Sequence, residues 1–238
     1  MKYSVAVFSY DFCHKKTQDI LIGLYLSGIR GVLVIAAPKI KLNHNSVKKP
    51  FDSIKHKGSI HPKDICRQLG YDYQVCPHDN ITDIERHVIQ NGSNIAIISG
   101  ARIIKQSVIG LFQYGVINYH PGPLPETSGL DSLFWMIEKN VRAVATAHFI
   151  DSRVDAGELI DEYPAYIYKD QDIAMVEYSL YVAQLNLHQN ICEKIANNLC
   201  FMTTKIYRPS KNFIMTEAQI ELSLKKFNDW KVYYSRNH

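Results

Sequence analysis

Residues 31–37, GVLVIAA, form a continuous apolar run of strand length. They follow a strand-like run at 3–9 and a segment, 17–27, in which Ile20, Leu21, Leu24 and Tyr25 recur at helical spacing ahead of Gly28. A strand with no polar face has to be covered on both sides, which a parallel sheet with crossover helices achieves. Strand, helix, buried strand is therefore a right-handed βαβ unit. The alternation continues in shorter pieces. The pattern predicts a helix over 62–69, a strand over 71–75, a helix over 82–89 and an apolar strand over 95–98, broken by Gly100 and Ala101. Four strands thus precede a fifth that closes at Asn118.

Beyond it, 130–140 is a strong helix pattern, 142–150 and 158–168 read as strands, and 174–197 as a long helix. Thr216 with Gln219 three positions on is a capping-box pattern that opens a last helix over 216–227. The fold class is α/β: a Rossmann-like, mostly parallel sheet with helices on both faces, plus a short C-terminal extension. A length of 238 residues suits one sizeable domain over 1–200 and an extension over 201–238, holding a strand and a helix.

The sequence disfavours several function classes. The connection after the first strand, Ser9 to Lys16, has neither GxGxxG nor GxxxxGKS/T, so the phosphate cradles of dinucleotide folds and P-loop proteins are missing. No apolar run approaches the roughly 20 residues of a membrane span. The N-terminal run lacks a long h-region, so a cytoplasmic protein without membrane attachment is expected. The five cysteines are odd in number and without a CxxC pair, as expected of reduced thiols. His56 with His61, and His78 with His87, find no third ligand at fitting spacing, so no metal is expected. The net charge of +4 lies in residues 201–238, which hold seven Lys/Arg against three Asp/Glu. A neutral body with a mildly basic tail suits an anionic small ligand and does not call for nucleic acid. Lys39, Lys41, Lys48, Lys49, Lys55 and Lys57 mark a polar surface loop.

The chemistry concentrates in Ile117-Asn118-Tyr119-His120-Pro121-Gly122-Pro123-Leu124-Pro125 and in Val154-Asp155-Ala156-Gly157. Asn118 and His120 stand at i and i+2, so both side chains leave the end of a strand on the same side, where α/β proteins place their ligands. An amide and a protonated imidazole can aim donors at one oxygen. A carboxylate such as Asp155 would hold the imidazole charged and fix its tautomer. Such a group stabilises the oxyanion of a tetrahedral intermediate in acyl transfer, with His120 also able to pass a proton. With no nucleophilic Ser or Cys nearby in sequence, direct attack by a substrate amine is favoured over a covalent acyl-enzyme. Spacing alone would still leave a core Asn, His and Asp as the commoner reading.

The run from Asn118 to Pro125, then Gly129, Trp135, Ala145-Thr146-Ala147-His148-Phe149-Ile150-Asp151 and Val154-Asp155-Ala156-Gly157-Glu158-Leu159-Ile160, resembles the signature of the formyltetrahydrofolate-dependent formyltransferases in order and spacing. That resemblance implies Asn118, His120 and Asp155 as the catalytic triad and N10-formyltetrahydrofolate as co-substrate. Residues 97–104 resemble the family's folate-side loop. The implied folate contacts are Ser99, Gly100, Ala101, Arg102 and Ile103, with Val154 and Ala156. His148 resembles a cavity-facing His of the family and reads equally as a buried structural one. The sequence departs from the family at Gly122-Pro123 and at Glu126-Thr127-Ser128-Gly129.

Within that family, glycinamide ribonucleotide transformylases carry a Gly-Ser-Asn phosphate loop after their first strand, where this chain has Tyr10 to Lys16. Methionyl-tRNA formyltransferases carry a C-terminal β-domain of roughly 100 residues. The resemblance therefore points to the sugar N-formyltransferases, with a dTDP-, UDP- or GDP-linked amino-deoxysugar as partner, as in lipopolysaccharide O-antigen synthesis. A phosphoribosylglycinamide formyltransferase and a non-catalytic folate-binding module remain as alternatives. His14, Lys15, Lys16 and the Tyr/Lys-rich tail are candidates for nucleotide contacts and read equally as a solvated basic loop. Apolar residues at 201–207 and 232–234 suit a dimer-forming hairpin or edge, and a homodimer is expected.

Overall fold

The computed structural model describes residues 3–40, 58–153, 155–207 and 212–236. In chain order the elements are β1 (Val5–Tyr10), α1 (Lys15–Leu26), β2 (Leu33–Ala37), α2 (Pro62–Leu69), β3 (Asp72–Val75), α3 (Ile81–Asn91), β4 (Ile95–Ile98) and α4 (Gln106–Ile109). There follow β5 (Val116–His120), α5 (Ser132–Lys139), β6 (Val144–Phe149), β7 (Gly157–Pro164), α6 (Ile173–Ala196), β8 (Thr204–Ile206) and α7 (Glu217–Tyr234). The eight strands form one sheet in the order β3-β2-β1-β4-β5-β6-β7-β8. The first five are parallel and the last three are added antiparallel.

The apolar runs end up where their composition requires. Every residue of β2 is buried, because both faces of the sheet carry helices. On one face Val5, Val7, Ile97, Ile117 and Tyr119 pack with Ile20, Leu21 and Leu24 of α1 and with Leu187 and Ile191 of α6. On the other, Ala6, Phe8, Ile35 and Val116 pack with Ile84 and Val88 of α3 and with Val108 and Ile109 of α4. A fully buried Leu or Ile contributes about 1.5–3 kcal/mol relative to leaving it in water. The short helix α4 was not predicted. Its four residues are too few for a periodic signal, and burial of Val108 and Ile109 holds it in place.

Two features of this topology place the site. From β1 the chain crosses to β2 on one side, while β4 pairs on the other, which opens a crevice at the carboxyl ends of β1 and β4. The antiparallel hairpin then sets Asn118 of β5 opposite His148 of β6, and His120 opposite Thr146. Residues 201–207 supply β8, which pairs with β7 at the edge. Residues 232–234 differ from expectation: they end α7 and are no sheet edge. The capping box at Thr216 and Gln219 starts a helix that runs on past 227, held by burial of Ile220, Phe227 and Trp230. Of the lysine-rich loop, Lys41, Lys48, Lys49, Lys55 and Lys57 lie outside the described residues. Among the described residues no helix is long and apolar enough to cross a membrane.

Candidate active site

Asn118 and His120 leave the carboxyl end of β5 as the i, i+2 spacing requires, Asn118 half-buried and His120 buried. Asp155 comes from the turn between β6 and β7, with φ 49°. That turn needs glycine at its next corner but one: Gly157 has φ 108°, and a Cβ there would stand 2.1 Å from the Phe149 carbonyl oxygen. Of the three predicted side chains, His120 and Asp155 meet, while Asn118 lies two residues before His120 on the same strand and contacts His148. His120 Nδ1 lies 3.6 Å from Asp155 Oδ1, and the second carboxylate oxygen accepts from the Gly129 amide at 2.6 Å.

His120 is held at its other nitrogen. Nε2 is 2.9 Å from the Thr127 carbonyl and 3.1 Å from Thr127 Oγ1, with Ser132 Oγ at 3.3 Å. A carbonyl can only accept, and the Thr127 hydroxyl already donates to the Pro123 carbonyl at 2.8 Å. Nε2 therefore carries the proton, and the lone pair of the neutral ring is on Nδ1, facing Asp155. The tautomer is set by Thr127, not by Asp155 as the sequence suggested. Gly122 makes this fit possible, since a Cβ there would sit 2.2 Å from Thr127 Oγ1.

The expectation that Asp155 keeps His120 protonated also needs correcting. Burial is the largest influence on the ring and lowers its pKa below the ordinary 6.5; Asp155 and the Thr127 carbonyl raise it, and Lys16 lowers it again. The free site holds a neutral imidazole, a proton acceptor first, because desolvation of the cation outweighs one carboxylate at 3.6 Å.

Asn118 is oriented by His148. His148 Nδ1 is 3.2 Å from the Ala156 carbonyl, so Nδ1 donates there, and Nε2 accepts from Asn118 Nδ2 at 3.1 Å. Burial, followed by the neighbouring His120, pulls His148 down to about 4, which keeps it neutral and able to accept. One N–H of the Asn118 amide is thereby fixed, and its second N–H and Oδ1 are set in direction. The sequence left His148 undecided. The signal was the matching alternation of Asn118/His120 and Thr146/His148, which an antiparallel register turns into cross-strand pairs.

The predicted folate-side residues lie in the β4–α4 connection and beside Asp155. The Ser99 hydroxyl donates to the Phe8 carbonyl at 2.8 Å and meets Thr17 Oγ1 at 2.9 Å, and the Ser99 and Gly100 amides also go to Phe8. Arg102 Nη2 donates to the Pro38 carbonyl at 2.8 Å. Ile103 is 73% exposed and Ala101 is partly buried. Ala156 is buried, its carbonyl holding His148. Val154 lies outside the described residues.

The three suggested nucleotide contacts each have partners within the chain. His14 caps α1 by accepting from the Thr17 amide, and Lys15 pairs with Asp19 at 2.8 Å. Lys16 donates to the Tyr119 carbonyl at 3.0 Å and to Gln184 Oε1 at 2.8 Å. Sequence reasoning also missed the strap across the 126–129 loop. Asn212 donates its side-chain amide to the Glu126 and Ser128 carbonyls, and its main-chain amide to Ser128. Met215 donates to Asp131 ahead of α5.

The sequence model of the formyl transferase family matches residues 42–186. Similar folds occur in solved structures of low identity. A phosphoribosylglycinamide formyltransferase from Anaplasma phagocytophilum is 16% identical, covering 88% of this chain and 97% of its own, with a TM-score of 0.61. A sugar N-formyltransferase from a Shewanella species is 13% identical, covering 94% of this chain and 87% of its own, with a TM-score of 0.59. A glycinamide ribonucleotide transformylase from Geobacillus kaustophilus is 15% identical, covering 82% and 100%, with a TM-score of 0.60.

Proposed function

The chain belongs to the formyl transferase family, and we propose that it transfers a formyl group from N10-formyltetrahydrofolate to the amine of an amino-deoxysugar linked to dTDP, UDP or GDP. The observation that carries the choice of acceptor is the corner after β1. Tyr10 and Phe12 stack there at 4.9 Å and 8°, and Tyr10 packs so tightly over Gly100 that a Cβ on that glycine would meet its ring at 2.9 Å. A bulky aromatic corner of this kind does not fold as the compact Gly-Ser-Asn phosphate turn that the resemblance assigns to glycinamide ribonucleotide transformylases. Homodimer formation, residues 1–200 as the catalytic body with 201–238 as an extension, and a cytoplasmic place in O-antigen synthesis belong to the same reading. The exposed apolar residues Leu222, Leu224, Val232 and Tyr233 on α7 support the dimer.

The residues present fit the donor. Ile103 offers an exposed apolar side chain on which a flat ring can lie, and the main chain of 99–103 borders the crevice of β1 and β4. Ala101, Arg102 and Ile103 would hold it, whereas Ala156 is fully buried and acts only through His148. When bound, it supplies an activated formyl carbon.

The chain's own groups then divide the work. Asn118, its amide turned by His148, directs an N–H at the formyl oxygen as negative charge develops there. His120 takes the proton of the attacking amine at Nδ1, the nitrogen left bare by Thr127. Asp155 stabilises the imidazolium so formed, and the Gly129 amide fixes the carboxylate. The nitrogen that leaves receives that proton back from His120, so the imidazole returns to its neutral form.

Incubating the protein with formyl donor and either glycinamide ribonucleotide or a panel of dTDP-, UDP- and GDP-linked amino sugars, read by mass spectrometry, tests the proposal. A formylated nucleotide sugar is expected. Formylation of glycinamide ribonucleotide alone would transfer the chain to the purine reading. Donor binding with no amine formylated would favour a non-catalytic folate module. His120→Asn should lower turnover by about 10²–10⁴ while donor binding survives.

A further inference from the structure

One charged side chain at the site has no part in the chemistry above. Lys16 stands in the first turn of α1, and although the residue keeps part of its surface in solvent, its ammonium is enclosed. It donates to the carbonyl of Tyr119, the residue between Asn118 and His120, and to Gln184 of α6. The same ammonium lies 5.9 Å from the centre of the Tyr119 ring. A lysine desolvated to this degree is costly unless its charge is used.

The groups facing His120 are Asp155 from the β6–β7 turn, His148 from β6 and Lys16 from α1. Those facing Lys16 are Asp155, His120 and His188 of α6. Asp155 favours charge on both Lys16 and His120, so the two cations compete for one carboxylate. With Lys16 charged, the imidazolium is disfavoured further, beyond the larger effect of burial.

We propose that Lys16 is a positioning residue of formyl transfer: bound to the main chain between Asn118 and His120, it fixes the catalytic strand's end, and its positive charge adds to burial in favouring His120 as the proton acceptor. The proposal rests on the reading of Asn118, His120 and Asp155 as the transfer site, and its test does not depend on which amine is formylated. Burial pulls Lys16 itself down to about 8, against the opposing effect of Asp155, so it is charged throughout the range in which His120 titrates.

The test is a nuclear magnetic resonance titration of the His120 ring, assigned by its loss in His120→Asn, in the wild type and in Lys16→Met, Lys16→Gln and Lys16→Arg. The His120 midpoint should rise by about half a unit or more in both neutral variants and stay in place in Lys16→Arg. An unchanged or lower midpoint in the neutral variants overturns the proposal, as does a rise in Lys16→Arg equal to that in Lys16→Met. A measurement on the wild type keeps the test decisive if the variants misfold. The Tyr119 carbonyl carbon should shift with a midpoint near 8, as its donor loses charge. A carbonyl signal flat across that range also overturns the proposal.

Discussion

Asn118 and His148 face each other across the β5–β6 pair and are joined by a 3.1 Å hydrogen bond from the amide to the ring. His148→Ala removes the acceptor and leaves the Asn118 amide free to turn. Loss of one oriented hydrogen bond, about 1–1.5 kcal/mol, should lower kcat by roughly tenfold with KM little changed. His148→Gln, which can still accept, should recover part of the loss. Steady-state kinetics on both variants checks this, and equal loss in the two would show that His148 acts by filling space.

The pH dependence follows from the neutral His120. Its pKa is depressed by burial, and the proposed mechanism uses the base form. The acid limb of kcat/KM should therefore lie below the ordinary histidine value, with activity rising as pH rises through it and level above. Asp155 opposes the depression, so Asp155→Asn should move that limb to still lower pH while reducing the maximum rate. A limb displaced upward in Asp155→Asn would contradict this account. Profiles of kcat/KM for the two proteins decide it.

Stability should fall in mild acid for a related reason. His78, His148 and His188 are each pulled by burial to about 4, from an ordinary 6.5 in the unfolded chain. Within that window the unfolded state binds protons that the folded state does not. The stability they contribute is thus present above the unfolded value and is lost as pH falls through the folded one, with a slope of up to about 1.4 kcal/mol per pH unit for each group. His188 shows the cause: it donates to the Ile20 carbonyl at 2.9 Å and meets Tyr119 Oη at 3.0 Å, buried where a second proton would be poorly solvated. Urea midpoints at about pH 7 and about pH 5 should differ strongly in the wild type and less in His188→Gln.

The reach of the sequence ended where contacts became long-range. The apolar runs announced the parallel strands because a strand covered on both faces can be little else, and Thr216 with Gln219 announced α7 because capping is local. Asn118 and His120 were legible from their own strand. The tautomer of His120 was not, since Thr127 reaches it only through a turn that Gly122 allows. Lys16 looked like a member of a basic loop; its partners lie 103 and 168 residues away, and no local pattern reports them. The pKa of His120 is not legible in the sequence, which displays the carboxylate that raises it and hides the burial that lowers it.

The strap of Asn212 across the 126–129 loop bears on how the enzyme comes into being on the ribosome. Asn118, His120 and Asp155 are all synthesised before Asn212, and so are Thr127 and Gly129, which hold His120 and Asp155 in place. A chain that folds as it emerges passes through a stage in which the three proposed catalytic side chains have been made and the loop beside them lacks its tie to Asn212.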